Sequence, residues 1–149
     1  MKKLFIFLTL IFSFSNVNAQ FTSSDIQMLI DDPAVSAGDI VTVPAGTYVL
    51  DATILLDRQI ALECDGTLGD CMIDASNVVG AFDITEYGAA LYGFEISGGA
   101  NTCYGIMVHH PNNDFDGVTF TTIAGNEIYG MALPNPGNNS PLSYGVLVY

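Results

Sequence analysis

From Gly38 onward, short apolar runs alternate with gaps rich in Gly, Asn, Asp and Pro. Ile40–Val43, Thr47–Leu50, Thr53–Leu56, Gln59–Leu62, Met72-Ile73 and Ala81–Ile84 read as strands, because β-branched and aromatic residues fill the runs and turn formers fill the gaps. The clearest pattern follows. Leu91-Tyr92-Gly93-Phe94-Glu95-Ile96-Ser97-Gly98 aligns with Ile123-Ala124-Gly125-Asn126-Glu127-Ile128-Tyr129-Gly130, so that an aliphatic residue, Gly, Ile and Gly coincide. Each copy is succeeded by a Tyr-Gly-aliphatic strand, Tyr104–Val108 and then Tyr144–Val148. A recurring unit with turns at fixed places marks stacked coils rather than a closed globule.

Equivalent strands centre on Ile54, Phe82, Ile106 and Val146, at steps of 28, 24 and 40 residues. Repeat units of roughly 20–45 residues suit solenoids, and the first two steps fit one coil each. The last step is the longest because Met131–Ser143, rich in Pro, Gly and Asn, reads as an inserted loop, and loops of that length are functional or mobile. A β-sandwich also has short, regularly spaced strands. It fits less well, since tight hairpin turns of the Asn-Gly or Asp-Gly type are scarce, with Asp65-Gly66 and Asp116-Gly117 the candidates, and the repeated unit is three strands long. The fold expected is all-β, a parallel β-helix. Its inward positions would be Val41, Val43, Ile54, Leu56, Ile60, Leu62, Ile73, Phe82, Ile84, Leu91, Phe94, Ile96, Ile106, Val108, Val118, Phe120, Ile123 and Ile128.

Ahead of the strands, residues 20–37 carry the one helical pattern. Ser24 and Gln27 have capping-box spacing, Asp25 suits the N-terminal dipole, and Ile26, Leu29 and Ile30 form one apolar face. Pro33 limits the helix to one or two turns. A short amphipathic helix in front of a coil array is expected to cap it, since the first coil would otherwise show its core to water.

The first nineteen residues have a different character. Met1-Lys2-Lys3 precedes an apolar run from Leu4 to Phe14, and Val17 and Ala19 occupy the small-residue positions of a signal-peptidase site. This is a secretory signal peptide over residues 1–19, and the apolar run is shorter than the roughly 20 residues that a bilayer span needs. The expected location is secreted or cell-surface, with no membrane contact after cleavage. Cleavage leaves Arg58 as the one basic residue against 16 Asp and Glu, a net charge of −15. Nucleic acid is thereby excluded as a partner, because phosphate binding needs clustered Lys and Arg. Direct electrostatic capture of anionic polysaccharide is disfavoured too, unless a divalent cation intervenes. Acidity also serves plain solubility.

Three cysteines are present. Cys64 and Cys71 flank Asp65–Asp70, and in an exported chain a bridge between them would staple a turn, provided the geometry allows it. Cys103 is left over, either buried in a coil or paired outside the chain.

These phrases resemble the right-handed parallel β-helix family, the pectate-lyase-like superfamily. Gly38-Asp39-Ile40-Val41-Thr42-Val43-Pro44-Ala45-Gly46-Thr47-Tyr48 is similar to that family's opening coil, and Gln59–Glu63 with Met72–Ala75 to its second. Ile123–Gly130 resembles the recurrent coil in which an Asn bonds backbone groups at a turn, which implies that structural role for Asn126. Where that family has a Gly-rich turn, this chain has Cys64-Asp65. The resemblance spans Gly38 to Tyr149. It implies a right-handed fold and a carbohydrate-active protein acting on extracellular polysaccharide, as a polysaccharide lyase or a glycoside hydrolase. It does not choose a reaction, because one fold hosts many chemistries.

Two polar clusters are candidate sites. His109-His110-Pro111-Asn112-Asn113-Asp114-Phe115-Asp116 follows a strand, with Asn112, Asp114 and Asp116 as candidate Ca²⁺ ligands and His109 or His110 as a general base. Glu63, Asp65 and Asp70 form a second acidic group that would suit Ca²⁺. Short Asn/Asp runs also make turns, so both clusters have a structural reading. The resemblance implies a lyase base that is Arg or Lys beside Ca²⁺, and only Arg58 could serve, near the capped end rather than in the middle coils. A complete lyase site is therefore not expected in this chain. Tyr144–Tyr149 reads as the opening strand of an unfinished coil, so the chain is expected to be an N-terminal portion, with further coils after it. The alternative to a carbohydrate-active protein is a non-catalytic surface or adhesive β-helix.

Overall fold

A computed structural model describes residues 20–109, 121–132 and 143–148. Residues 1–19, read above as a signal peptide, His110, Asn112, Asp114, Asp116, Val118, Phe120 and most of the Met131–Ser143 loop lie outside the described residues. The chain is a right-handed parallel β-helix of four three-strand coils behind one helix, α1 (Ser23–Ile30). Coil 1 holds β1 (Ile40–Val43), β2 (Gly46–Val49) and β3 (Ile54–Leu56). Coil 2 holds β4 (Ala61–Cys64), β5 (Cys71–Asp74) and β6 (Gly80–Ile84). Coil 3 holds β7 (Ala90–Tyr92), β8 (Phe94–Ser97) and β9 (Tyr104–Val108). Coil 4 holds β10 (Thr122–Ala124), β11 (Glu127–Tyr129) and β12 (Tyr144–Val148).

Three sheets result, ordered β1-β4-β7-β10, β2-β5-β8-β11 and β3-β6-β9-β12, and every pairing is parallel. A β-sandwich is ruled out by that. The register follows the sequence spacing: Ile54, Phe82, Ile106 and Val146 pair in one row, Leu91 with Ile123, Ile96 with Ile128, and Tyr104 with Tyr144. Because side chains alternate across a strand, every second row stacks apolar residues into the interior. Val43, Ile54, Leu56, Leu62, Ile73, Phe82, Leu91, Phe94, Ile96 and Ile106 are fully buried. Burial of each such side chain contributes about 1.5–3 kcal/mol, which makes this column the main stabilising feature. Phe82 and Phe94 meet across the interior with ring centroids 5.5 Å apart.

The corner between the first and second sheets is made differently in successive coils. In coil 3 it is the single residue Gly93, at φ 79°, and coil 4 repeats it with Gly125, at φ 65°. Only glycine adopts that backbone without strain. Coil 2 instead inserts Asp65–Asp70 and closes it with a Cys64–Cys71 disulfide, Cα to Cα 5.8 Å. The conditional bridge of the sequence reading is thus formed. Closing so short a loop removes about 2.5 kcal/mol of chain entropy from the unfolded state. Cys103 is a free, half-buried thiol.

The helix ends at Ile30, with the short length expected from Pro33. Its start is earlier than the Ser24/Gln27 spacing suggested. Thr22 is the N-cap, and Asp25 accepts hydrogen bonds from the Thr22 amide (2.7 Å) and hydroxyl (3.1 Å). Gln27 is taken up elsewhere. Its Oε1 accepts from Leu55 N (3.0 Å) and its Nε2 donates to Leu55 O (3.2 Å), so it stands in for a neighbouring strand at the edge of β3. Phe21 does the same for β2: Val49 N donates to Phe21 O (2.8 Å) and Phe21 N to Thr47 O (3.3 Å). Ile26 and Ile30 plug the interior of coil 1. No helix among the described residues is long and apolar enough to cross a membrane.

Candidate functional site

The strongest juxtaposition of reactive groups lies on the outward face of the third sheet. Register places Leu55, Asp83, Met107 and Leu147 side by side in one outward row, so Asp83 is a carboxylate set between apolar neighbours. The strand exit just beyond β9 carries His109, whose amide donates to Ile84 O (3.1 Å) and so continues the ladder between coils 2 and 3. His109 Nδ1 then lies 3.0 Å from Asp83 Oδ1. Both atoms are shut off from solvent. Burial pushes the Asp83 carboxyl above its ordinary range, and the facing imidazole pulls it partly back.

The Asp83 carboxylate is thus a charged neighbour of the His109 imidazole on its Nδ1 side. The ring borders a recess lined by Ile84, Thr85, Glu86, Tyr87, Val108 and Thr121. That recess holds about 10 Å³, the lower limit for a single water, so it is no seat for a sugar ring. Of the two histidines proposed as bases, the structure places His109 beside the Asp83 carboxylate, while His110 is outside the described residues.

Arg58 has a different task. Its Nη1 donates to Ile30 O (2.6 Å) and Asp32 O (3.2 Å), and its Nη2 donates to Val35 O. Helix C-terminal carbonyls lack intrahelical partners, and a guanidinium fork satisfies several at once. The side chain ties α1 and the segment after it onto coil 1.

The second acidic group is likewise dispersed. Glu63 stands exposed on the outward side of β4, and Asp65 and Asp70 lie in the disulfide-closed loop. Asp70 Oδ2 accepts from the Thr67 amide (2.7 Å) and hydroxyl (2.9 Å), and these bonds hold its carboxyl below the usual range. No three His, Cys, Asp or Glu side chains converge on a cation position among the described residues. Glu63, Asp65 and Asp70 are thus not brought into one ligand set, because the pleat and the turn direct them apart.

Asn126 has the role that the resemblance implied. Its Oδ1 accepts from Phe94 N and its Nδ2 donates to Leu91 O, both at 2.9 Å, so one amide satisfies the backbone on either side of the Gly93 corner. Thr102 was not anticipated. It is fully buried, donates to Ala75 O (2.7 Å) and accepts from Gly99 N (2.9 Å), tying coil 3 to coil 2. Asp83 was passed over as well, although the Phe82/Ile106 alignment already sets it opposite Met107, two residues before His109.

No family model, curated protein or solved structure matches the chain.

Proposed function

We propose that this chain is part of a secreted β-helix protein of the pectate-lyase-like kind that acts at extracellular polysaccharide, and that the described coils serve as its binding framework rather than as a lyase centre. The observation that carries this reading is the position of Arg58. After signal cleavage it is the one base of the required type, and its guanidinium is committed to three carbonyls of the N-terminal cap. Stacked parallel sheets offer a continuous face to an extended polymer, and Ca²⁺ is the expected mediator between an acidic protein and an acidic glycan.

The test pairs two measurements on the mature chain, each with and without Ca²⁺. Affinity electrophoresis against pectate, alginate and neutral glucans should show retarded migration on at least one of them, and unsaturated product should not accumulate on pectate or alginate. Retardation by none of the polymers would overturn the carbohydrate reading. It would leave the non-catalytic adhesive scaffold, which the same commitment of Arg58 favours. Eliminative turnover would overturn the assignment of Arg58.

A further inference from the structure

The fold takes hold of the chain at Phe21. Its carbonyl accepts from Val49 N (2.8 Å), its amide donates to Thr47 O (3.3 Å), and its ring stacks on Tyr48 with centroids 5.0 Å apart. Thr22 follows as the helix cap, its amide donating to Asp25 (2.7 Å). Gln20, one residue earlier, is exposed. The bond before it, Ala19–Gln20, is the one that the signal-peptide pattern marks for cleavage. We propose, on the reading that residues 1–19 are a leader, that Gln20 is a modification site: its new α-amine closes on its own side-chain amide, and the mature chain begins with a pyroglutamyl lactam. Secretion is the only part of the proposed function on which this depends.

The step is an intramolecular acyl transfer. The unprotonated α-nitrogen attacks Cδ, the lactam C–N bond forms as the bond from Cδ to Nε2 breaks, and the proton lost by the amine leaves with Nε2 as ammonia. No oxidant, reductant or second substrate enters. An α-amine titrates near about pH 8, so its nucleophilic form is present in neutral surroundings. Nucleophile and carbonyl belong to one residue, which spares the entropy that two separate reactants would lose on meeting. Phe21 is fixed at the edge of β2 while Gln20 stays in solvent, so ring closure asks no movement of the fold.

The lactam has no ionisable amine. It removes a positive charge from a chain whose mature form has Arg58 as its one basic residue. It also closes the chain to aminopeptidases, which recognise a free α-ammonium. That protection falls directly in front of the cap. Loss of Gln20 and then Phe21 would uncover the edge of β2 and bring trimming to Thr22.

The full chain, leader included, can be expressed in an exporting host and the secreted product weighed intact. The expected mass is that of residues 20–149 with the Cys64–Cys71 bridge, lower by about 17 Da for the lost ammonia, with no α-amine open to N-terminal labelling. Fragmentation of the N-terminal peptide should place the loss on Gln20 itself. Gln20→Asn has a side chain one carbon too short to close that ring. It should keep its full mass and a labelled amine, and it should lose its first residue to an aminopeptidase that leaves the wild type intact. If the variant is not exported, the wild-type mass decides the point by itself. A chain that starts at Gln20 with its full mass and a reactive amine, after prolonged incubation at about pH 8, would overturn the lactam and leave secretion standing. A secreted chain that starts elsewhere, or one that keeps Met1, would overturn the cleavage reading and the lactam together.

Discussion

The first and last described coils of this solenoid differ in what is packed against them among the described residues. At the N-terminal end, α1 lays Ile26 and Ile30 across the interior, Phe21 pairs with the edge of β2, and the Gln27 amide completes the edge of β3. At the other end, no described residue lies outside β10, β11 and β12. Val146 and Val148 are 41% and 59% exposed, whereas Ile106 and Val108, their partners one coil earlier, are 0% and 5% exposed. Position within a coil decides which way a side chain points, but only the neighbouring layer decides whether pointing inward amounts to burial. A coil contributes stability in proportion to the layers on both its sides.

That contrast is open to attack at matched register positions. The largest effect is expected for Ile106→Ala, which deletes a fully buried side chain from the middle of a row and should cost about 2–5 kcal/mol. Val146→Ala, one coil further along the same row, should cost less than about 1 kcal/mol. Denaturant unfolding of both variants measures the difference, and equal costs would mean that the outer coil is as tightly enclosed as the inner one.

Next in size is Arg58→Met. It keeps the aliphatic stem but leaves three cap carbonyls without their donor, for an expected loss of about 1.5–3 kcal/mol. Arg58→Lys should recover only part of this, since an ammonium lacks the planar fork. Full recovery with Lys would reduce the role of Arg58 to charge alone. The smallest effect is expected for Gln27→Ala, about 0.5–1.5 kcal/mol, because the two bonds to Leu55 are solvent-facing. Its useful readout is local. Amide exchange at Leu55 should accelerate while that at Ile106 stays unchanged, and a uniform acceleration would show that the cap and the coils unfold together.

The legibility of the molecule followed the range of the interactions involved. The rows Ile54–Phe82–Ile106–Val146 and Leu91–Ile123 were readable because a solenoid repeats its inward positions in the chain itself, so spacing in sequence becomes neighbourhood in space. The Gly93/Gly125 corners were readable for the same reason. The start of the helix was not, because Ser24/Gln27 and Thr22/Asp25 are equivalent as local patterns. The edge of β3 drew Gln27 away and left Thr22 to cap the helix. Arg58 was legible as a candidate base but not as a clamp, since its carbonyl partners stand 23–28 residues away. Asp83 was hidden by its setting between two core residues, where a single charge reads as an ordinary outward position.

By itself the sequence determined the parallel β-helix, the inward column and the acidic balance of the chain, because periodicity and composition are properties of the chain before it folds. The tertiary structure alone decided which polar groups meet. Stacking the coils set Asp83 against His109, spent Arg58 on the N-terminal cap, bonded Asp70 to Thr67 and joined Cys64 to Cys71. The physical reason is one of direction and reach. Hydrophobic burial needs only the correct face and so survives as a pattern, whereas a hydrogen bond or an ion pair needs two particular atoms about 3 Å apart, and that distance exists only once the layers are in place.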